Sequence, residues 1–264
     1  MPELAEVAYY CSRWNPGCGE RILEARLNGR IRCFRNTEPT RLAALLEGNR
    51  MIDSRTHGKR ILFRFDKRLW LSIHLGMTGS LSIRASKANL KKHDHIVLNT
   101  SIGWLVYNDP RQFGVIESFE ADQLPEFWQN LPPEPISKTF DLRYFRRLAR
   151  RGSRKPLKSY LLDQTRFPGV GNWMADEILW QSRIRPQRAV DSLDDEETRK
   201  LFQSVKRVSR IAMERIAPDY SDPPKTWLFH RRWRTGELCP KTGDLLKREK
   251  IGGKTTCWSE YWQR

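Results

Sequence analysis

The residues with the most pointed chemistry stand at the amino end. In Met1-Pro2-Glu3-Leu4-Ala5-Glu6, removal of Met1 would leave Pro2 as a free secondary amine. An α-amino group titrates at about pH 8, so an appreciable fraction is neutral at pH 7. Such an amine can attack an electrophilic carbon such as a sugar C1′ and form an iminium without any lysine. Glu3 and Glu6, one helical turn apart, are two carboxylates that could shuttle protons around that amine. A Pro-Glu start also suits an ordinary helix, because the first turn cannot use the N–H that proline lacks. From these residues alone, both readings stand.

Other runs carry residues suited to an anionic partner. Gly58-Lys59-Arg60 puts a cation on a turn before an apolar run, and Gly169-Val170-Gly171-Asn172 opens a helical pattern after two glycines. Helix N-terminal N–H groups with a capping amide form a phosphate site, and glycines let the backbone approach closely. His74-Leu75-Gly76-Met77-Thr78-Gly79-Ser80-Leu81 and Asn108-Asp109-Pro110-Arg111-Gln112-Phe113-Gly114 pair flexible or aromatic groups with tight turns. In Lys92-His93-Asp94-His95 a metal site competes with a phosphate contact, but no further ligand cluster accompanies it.

The elements that must position these residues fall into two groups. Residues 3–14 read as a helix with Leu4, Val7, Ala8 and Cys11 on one face. From residue 21 to 117 short strand-like runs dominate, including 22–34, 60–65, 69–74, 81–84 and 95–98, with a helical insertion at 41–46. Such runs, separated by Gly, Asn and Asp turns, predict an antiparallel β-sandwich. Pro132, Pro133 and Pro135 mark a linker, and residues 141–151, 155–163, 172–182 and 194–215 then show helical spacing. A Gly-punctuated tail from 233 to 264 predicts a hairpin. The expected fold is therefore α+β: an N-terminal sandwich (1–131), a linker (132–136), a helical domain (137–232) and a terminal hairpin (233–264).

Composition narrows the partner. The 264 residues carry 48 Lys+Arg against 31 Asp+Glu, a net charge of 48 − 31 = +17. Residues 138–158 alone hold nine Lys/Arg and one acid, Asp141. Like charges at that density repel unless a polyanion is near, which points to a phosphate-tracking surface. The apolar and aromatic content is too high for a disordered chain, and no apolar run is long enough to span a membrane. The charged amino end lacks the apolar core of a secretory signal, and five cysteines at irregular spacing fit a reduced, intracellular protein.

Taken together and in order, Pro2-Glu3-Leu4-Ala5-Glu6-Val7 and the runs at 74–81, 92–95, 108–114 and 169–172 resemble the formamidopyrimidine-DNA glycosylase/endonuclease VIII family over nearly the whole chain. The resemblance implies an N-terminal helix plus β-sandwich, a helix–two-turn–helix domain and a C-terminal finger. It also implies excision of oxidised bases from damaged double-stranded DNA by a monomer, followed by β,δ-elimination at the abasic site, with no cofactor. Carried over by position, Pro2 would be the Schiff-base nucleophile, Glu3 the general acid/base and Glu6 a supporting carboxylate. Lys59, His74, His93, Lys158, Asn172 and Lys254 fall on positions that contact the DNA, Lys59 beside the lesion. Met77, Arg111 and Phe113 would enter the space left by the extruded nucleotide, a role suited to a thioether, a guanidinium and a ring.

The chain departs from the family pattern in three places. Most bacterial members end in a four-cysteine zinc finger; here the positions are Cys239, Thr242, Ser259 and Trp262. One thiolate cannot hold tetrahedral zinc, so a zincless finger packed by Trp233, Trp258, Tyr261 and Trp262 is expected. Lys254 and Gln112 stand where arginines are common, which costs a bidentate fork and a charge. Residues 216–232 are short for a loop that covers an extruded 8-oxoguanine, so oxidised pyrimidines, formamidopyrimidines or hydantoins are equal candidates, and single-stranded DNA stays open as a substrate. The competing functions are a catalytically inactive damaged-DNA binder on the same scaffold, and an RNA or ribosome binder. The retained Pro2-Glu3 pair argues against the first and the collinear motifs against the second.

Overall fold

The structure, a computed structural model, describes residues 1–87, 90–150 and 154–264. The chain divides into two compact units: Met1–Pro2 with Glu6–Leu131, and Glu3–Ala5 with Pro132–Arg264. Helix α1 (Leu4–Ser12) therefore starts in one unit and ends in the other.

In the first unit, β1 (Glu24–Leu27), β6 (Asp94–Thr100), β7 (Gly103–Asn108) and β5 (Ser80–Arg84) form one antiparallel sheet in that order. The other sheet runs β2 (Met51–His57), β3 (Arg60–Phe65), β4 (Leu69–His74), β8 (Val115–Glu120). Period-2 alternation sends Ile61, Phe63, Leu71 and Ile73 from one sheet and Ile96, Leu98, Leu105 and Tyr107 from the other into a shared core. Val7, Cys11 and Trp14 seal it, with α2 (Pro39–Leu46) supplying Leu42 and Leu46. Helix α2 starts earlier than its apolar spacing predicts, because the Glu38 carboxylate caps the N–H groups of Thr40 and Arg41. β4 is buried on both faces: Trp70 and Leu62 pack on Trp128 of the short α3 (Glu126–Gln129), which the sequence pattern did not predict.

The strand predicted across residues 22–34 is shorter than its pattern. After β1 the chain leaves the sheet at Asn28-Gly29, and Phe34 makes only an isolated parallel bridge to Ile116.

In the second unit, α4 (Leu142–Arg150), α5 (Leu157–Leu161), α6 (Asn172–Ser182) and α7 (Asp195–Asp219) enclose a core that includes Phe145, Phe167, Met174, Ile178 and Val205. Helix α4 turns Phe145 and Leu148 inward and exposes Arg143 and Arg147, so the described part of the basic segment behaves as an amphipathic face; residues 151–153 of that segment lie outside the described residues. Pro156 holds the start of α5 to Leu157, shorter than predicted. An Asp194–Glu197 capping box opens α7, which runs past Pro218 to Asp219. β9 (Lys247–Ile251) and β10 (Lys254–Trp258) pair as the expected hairpin. Among the described residues no helix is long and apolar enough to cross a membrane.

Candidate active site and nucleic-acid interface

Glu3 is 3% exposed, and its carboxylate takes the place of a local cap on α6. Its two oxygens accept the N–H groups of Gly171 (2.9 Å), Trp173 (2.9 Å) and Met174 (3.1 Å). These are the donors that a helix start leaves unpaired, and they carry its positive dipole end. Only glycine fits at 171: a Cβ there would lie 2.2 Å from the Glu3 Cδ. The neighbouring main chain is tied as well, with Leu4 N–H donating to the Gly169 carbonyl at 3.0 Å. Pro2, next to Glu3 in the chain, is buried, whereas Met1 is 48% exposed. Glu6 is half-buried in the first turn of α1.

Asn172 does not cap α6; Gly171 occupies that position. The Asn172 amide instead donates to the Thr255 carbonyl of β10 at 3.0 Å, next to Lys254, whose side chain is exposed at the head of that strand.

Lys158 corrects the sequence expectation of a phosphate contact. It is wholly buried, its Nζ donating to Asp176 Oδ1 (2.5 Å) and to the Asn172 carbonyl (2.6 Å). Burial pushes the lysine below its ordinary pKa, and Asp176 opposes that shift. Asp176 Oδ2 accepts from Arg232 Nε (3.1 Å) and Nη2 (2.7 Å) and from the Cys257 N–H of β10 (3.1 Å). One buried carboxylate thus joins α5, α6, the segment before the hairpin and the hairpin itself. Neither Asp176 nor Arg232 was singled out from the sequence; the only signal was an Asp-Glu pair on an otherwise apolar helix. The second acid of the pair, Glu177, accepts from Phe229 N–H (3.0 Å) and Gln181 Nε2 (2.6 Å), and burial pushes it up to about 8.

In the finger, Cys239 and Cys257 pack with Trp180, Leu228 and Leu246, and Trp262 covers them. Trp233 and Tyr261 are 53% and 70% exposed, so they do not supply the expected packing. Ser259 and Gln263 hydrogen-bond one another, and Gln263 also donates to the Ile184 carbonyl at 2.8 Å. Burial pushes the Cys257 thiol up to about 12. A single sulfur at the four ligand positions does not fit the zinc of the family's cysteine fingers, which needs four donors. Among the described residues no group of three or more His, Cys, Asp or Glu could hold a metal ion, and this includes the His93–His95 pair.

In the first unit, Met77 and Phe113 are 43% and 44% exposed on two loops that one carboxylate organises. Asp109, wholly buried, accepts from Thr78 Oγ1 (2.7 Å), beside Met77, and from Gly114 N–H (2.8 Å), beside Phe113. The loops also touch directly: Gly76 has φ +65°, and a Cβ there would meet the Phe113 carbonyl carbon at 2.4 Å. Arg111 is exposed, its guanidinium 4.9 Å from the Phe113 ring centroid. His74 Nδ1 accepts from Gly76 N–H at 3.1 Å, which leaves Nε2 as the donor of the neutral ring. Burial, then the charges of Arg60 and Lys59, hold His74 down to about 4. Lys59 follows Gly58 in the two-residue turn between β2 and β3 and is 8% exposed. His93 is half-buried at the start of β6, its carbonyl accepting from Asp109 N–H at 3.1 Å.

The site residues thus comprise, in the second unit, a glutamate that caps α6 and a hairpin headed by an exposed lysine and, in the first unit, two exposed apolar tips on glycine-containing loops. The family model described as the formamidopyrimidine-DNA glycosylase N-terminal domain matches residues 1–116, and the one described as its H2TH domain matches residues 131–220. The formamidopyrimidine-DNA glycosylase of Solibacter usitatus is 36% identical over the whole of both chains, and that of Stenotrophomonas maltophilia 32%. Among solved structures, the MutM (Fpg) protein of Thermus thermophilus superposes with a TM-score of 0.82 at 30% identity, covering 99% of this chain and 98% of that one. A MutM complex with DNA containing carbocyclic 8-oxo-G gives a TM-score of 0.88 at 27% identity, with full coverage of both chains. The chain belongs to the formamidopyrimidine-DNA glycosylase family.

Proposed function

We propose that this protein is a monomeric, bifunctional DNA glycosylase and abasic-site lyase of base excision repair, acting on oxidised bases in duplex DNA. The observation that carries the reading is the Pro2-Glu3 pair, with the Glu3 carboxylate fixed by three main-chain N–H donors. After loss of Met1, the Pro2 nitrogen attacks C1′ of the extruded nucleotide and the glycosidic bond breaks, the base leaving with a proton. Opening of the sugar ring gives an iminium between Pro2 and C1′. Removal of a C2′ proton then expels the 3′ phosphate, and a second elimination expels the 5′ phosphate. Glu3 is oriented to relay protons to the sugar, with Glu6 as a further carboxylate in the first turn of α1.

In this reading Met77, Arg111 and Phe113 fill the gap left by the extruded nucleotide. Lys59, His74 and His93 hold the strand from the first unit, and Asn172 and Lys254 from the second. His74, held neutral, contributes a hydrogen bond without a charge. The test is borohydride trapping on an abasic-site oligonucleotide. Processed protein should form the covalent adduct, and protein acetylated at its amino end or retaining Met1 should not. Equal trapping by the blocked protein would transfer the nucleophile to a lysine and overturn the assignment of Pro2.

A further inference from the structure

We propose that Arg32 is a positioning residue for Phe113, setting the preference for damaged over intact duplex; this rests on the reading of Phe113 as the residue that enters the stack. The Arg32 guanidinium lies over the Phe113 ring, 5.2 Å from its centroid, and its Nε donates to the Gln112 carbonyl at 3.3 Å. One side chain thus holds both the ring and the main chain immediately before it. That main chain needs holding: Gln112 has φ 55°, a left-handed conformation that a side chain other than glycine adopts at a cost.

Arg32 itself sits on a firm base. The next residue, Cys33, is fully buried, and its carbonyl accepts from Ile116 N–H at 2.8 Å, while Arg35 N–H donates to the Ile116 carbonyl at 2.9 Å. The segment that leaves the sheet after β1 therefore runs beside the start of β8, just past the Phe113 loop, and carries the guanidinium to the ring. With only the Arg111 guanidinium against it, 4.9 Å from the centroid, the exposed ring would keep more rotamer freedom, and ordering it on insertion would cost affinity. A ring already held by cation–π contact and a pinned backbone meets the DNA preorganised. Lesion sites gain most, because there the gap is open and the ring's position decides the fit.

The experiment measures affinity for a duplex with one non-cleavable tetrahydrofuran abasic analogue, and for the unmodified duplex, across a salt series. Phe113→Ala should reduce the affinity ratio roughly 5- to 150-fold, the range of one lost base–aromatic stack. Arg32→Ala should reduce it roughly 2- to 5-fold, the range of one exposed cation–π contact, with an unchanged salt slope. Arg32→Lys, which keeps the charge but not the planar fork, should fall between Arg32→Ala and the parent protein. In the Phe113→Ala background Arg32→Ala should have no further effect on the ratio. A full Arg32 effect in that background, or none in the parent, overturns the proposal while the role of Phe113 stands. Equal weakening on both duplexes with a slope lower by about 0.9 makes Arg32 a phosphate contact instead. An unchanged ratio in Phe113→Ala overturns the reading of Phe113 itself.

Discussion

Replacing Lys158 with methionine separates two roles that a sequence alone confuses. Methionine keeps most of the stem's volume and removes the ammonium, which in the folded protein donates at 2.5 Å to Asp176 and at 2.6 Å to the Asn172 carbonyl. Asp176 Oδ1 then loses its lysine, although Oδ2 retains Arg232 and Cys257 N–H. Breaking one side of a fully buried pair costs about 3–5 kcal/mol, because the remaining charge stays desolvated. For a protein of this size each kcal/mol moves the melting temperature by about 2–4 °C, so a fall of about 6–20 °C is expected. The slope of log K for duplex DNA against log salt should not change at temperatures where the variant is folded. A phosphate-contacting lysine would do the reverse, flattening the slope by about 0.9 and barely moving the melt. Calorimetry and a fluorescence salt titration on the same sample decide the matter. A melt within about 2 °C of the parent together with a flattened slope would refute the buried role.

His74 has a folded pKa lowered from 6.5 to about 4, so its neutral ring supports the fold above about pH 6.5 and that support is lost as pH falls toward 4. An NMR titration of its ring should show a midpoint near 4; one above 6 would contradict its burial beside Arg60 and Lys59. Glu177 runs the other way: raised from 4.5 to about 8, its contribution is full below about pH 4.5 and fades as pH rises through 8, a dependence that Glu177→Gln should abolish in pH-dependent melts. Asp109→Ala should cost about 2–4 kcal/mol in denaturant unfolding, since Thr78 and Gly114 lose a buried acceptor, and should lower lesion discrimination more than Met77→Ala alone. Elemental analysis should find far less than one zinc per chain and a chelator should leave the melt unmoved; stoichiometric zinc would require ligands other than those at the finger positions.

Much of this was legible in the residues. Short apolar runs such as 60–65 and 69–74 mark their own strands, and the acidic cluster at 194–197 marks the start of α7, because strand propensity and capping are local properties of the chain. Met77, Arg111, Phe113 and Lys254, singled out by the motifs, are exposed. What the sequence could not show is which charges face inward. Lys158 ends a basic run and looks like one more surface cation, yet Asp176, 18 residues away, takes it into the interior. Asn172 has the residue type of a cap, yet Glu3, about 170 residues away, caps that helix and frees the amide for the hairpin. Asp109 ties its own loop to Thr78, 31 residues away, and Arg32 reaches Gln112 and the Phe113 ring from 80 residues away. Secondary structure follows from neighbours a few residues apart, whereas the desolvation that turns a charge from surface ornament into structural pin exists only once distant segments have closed over it.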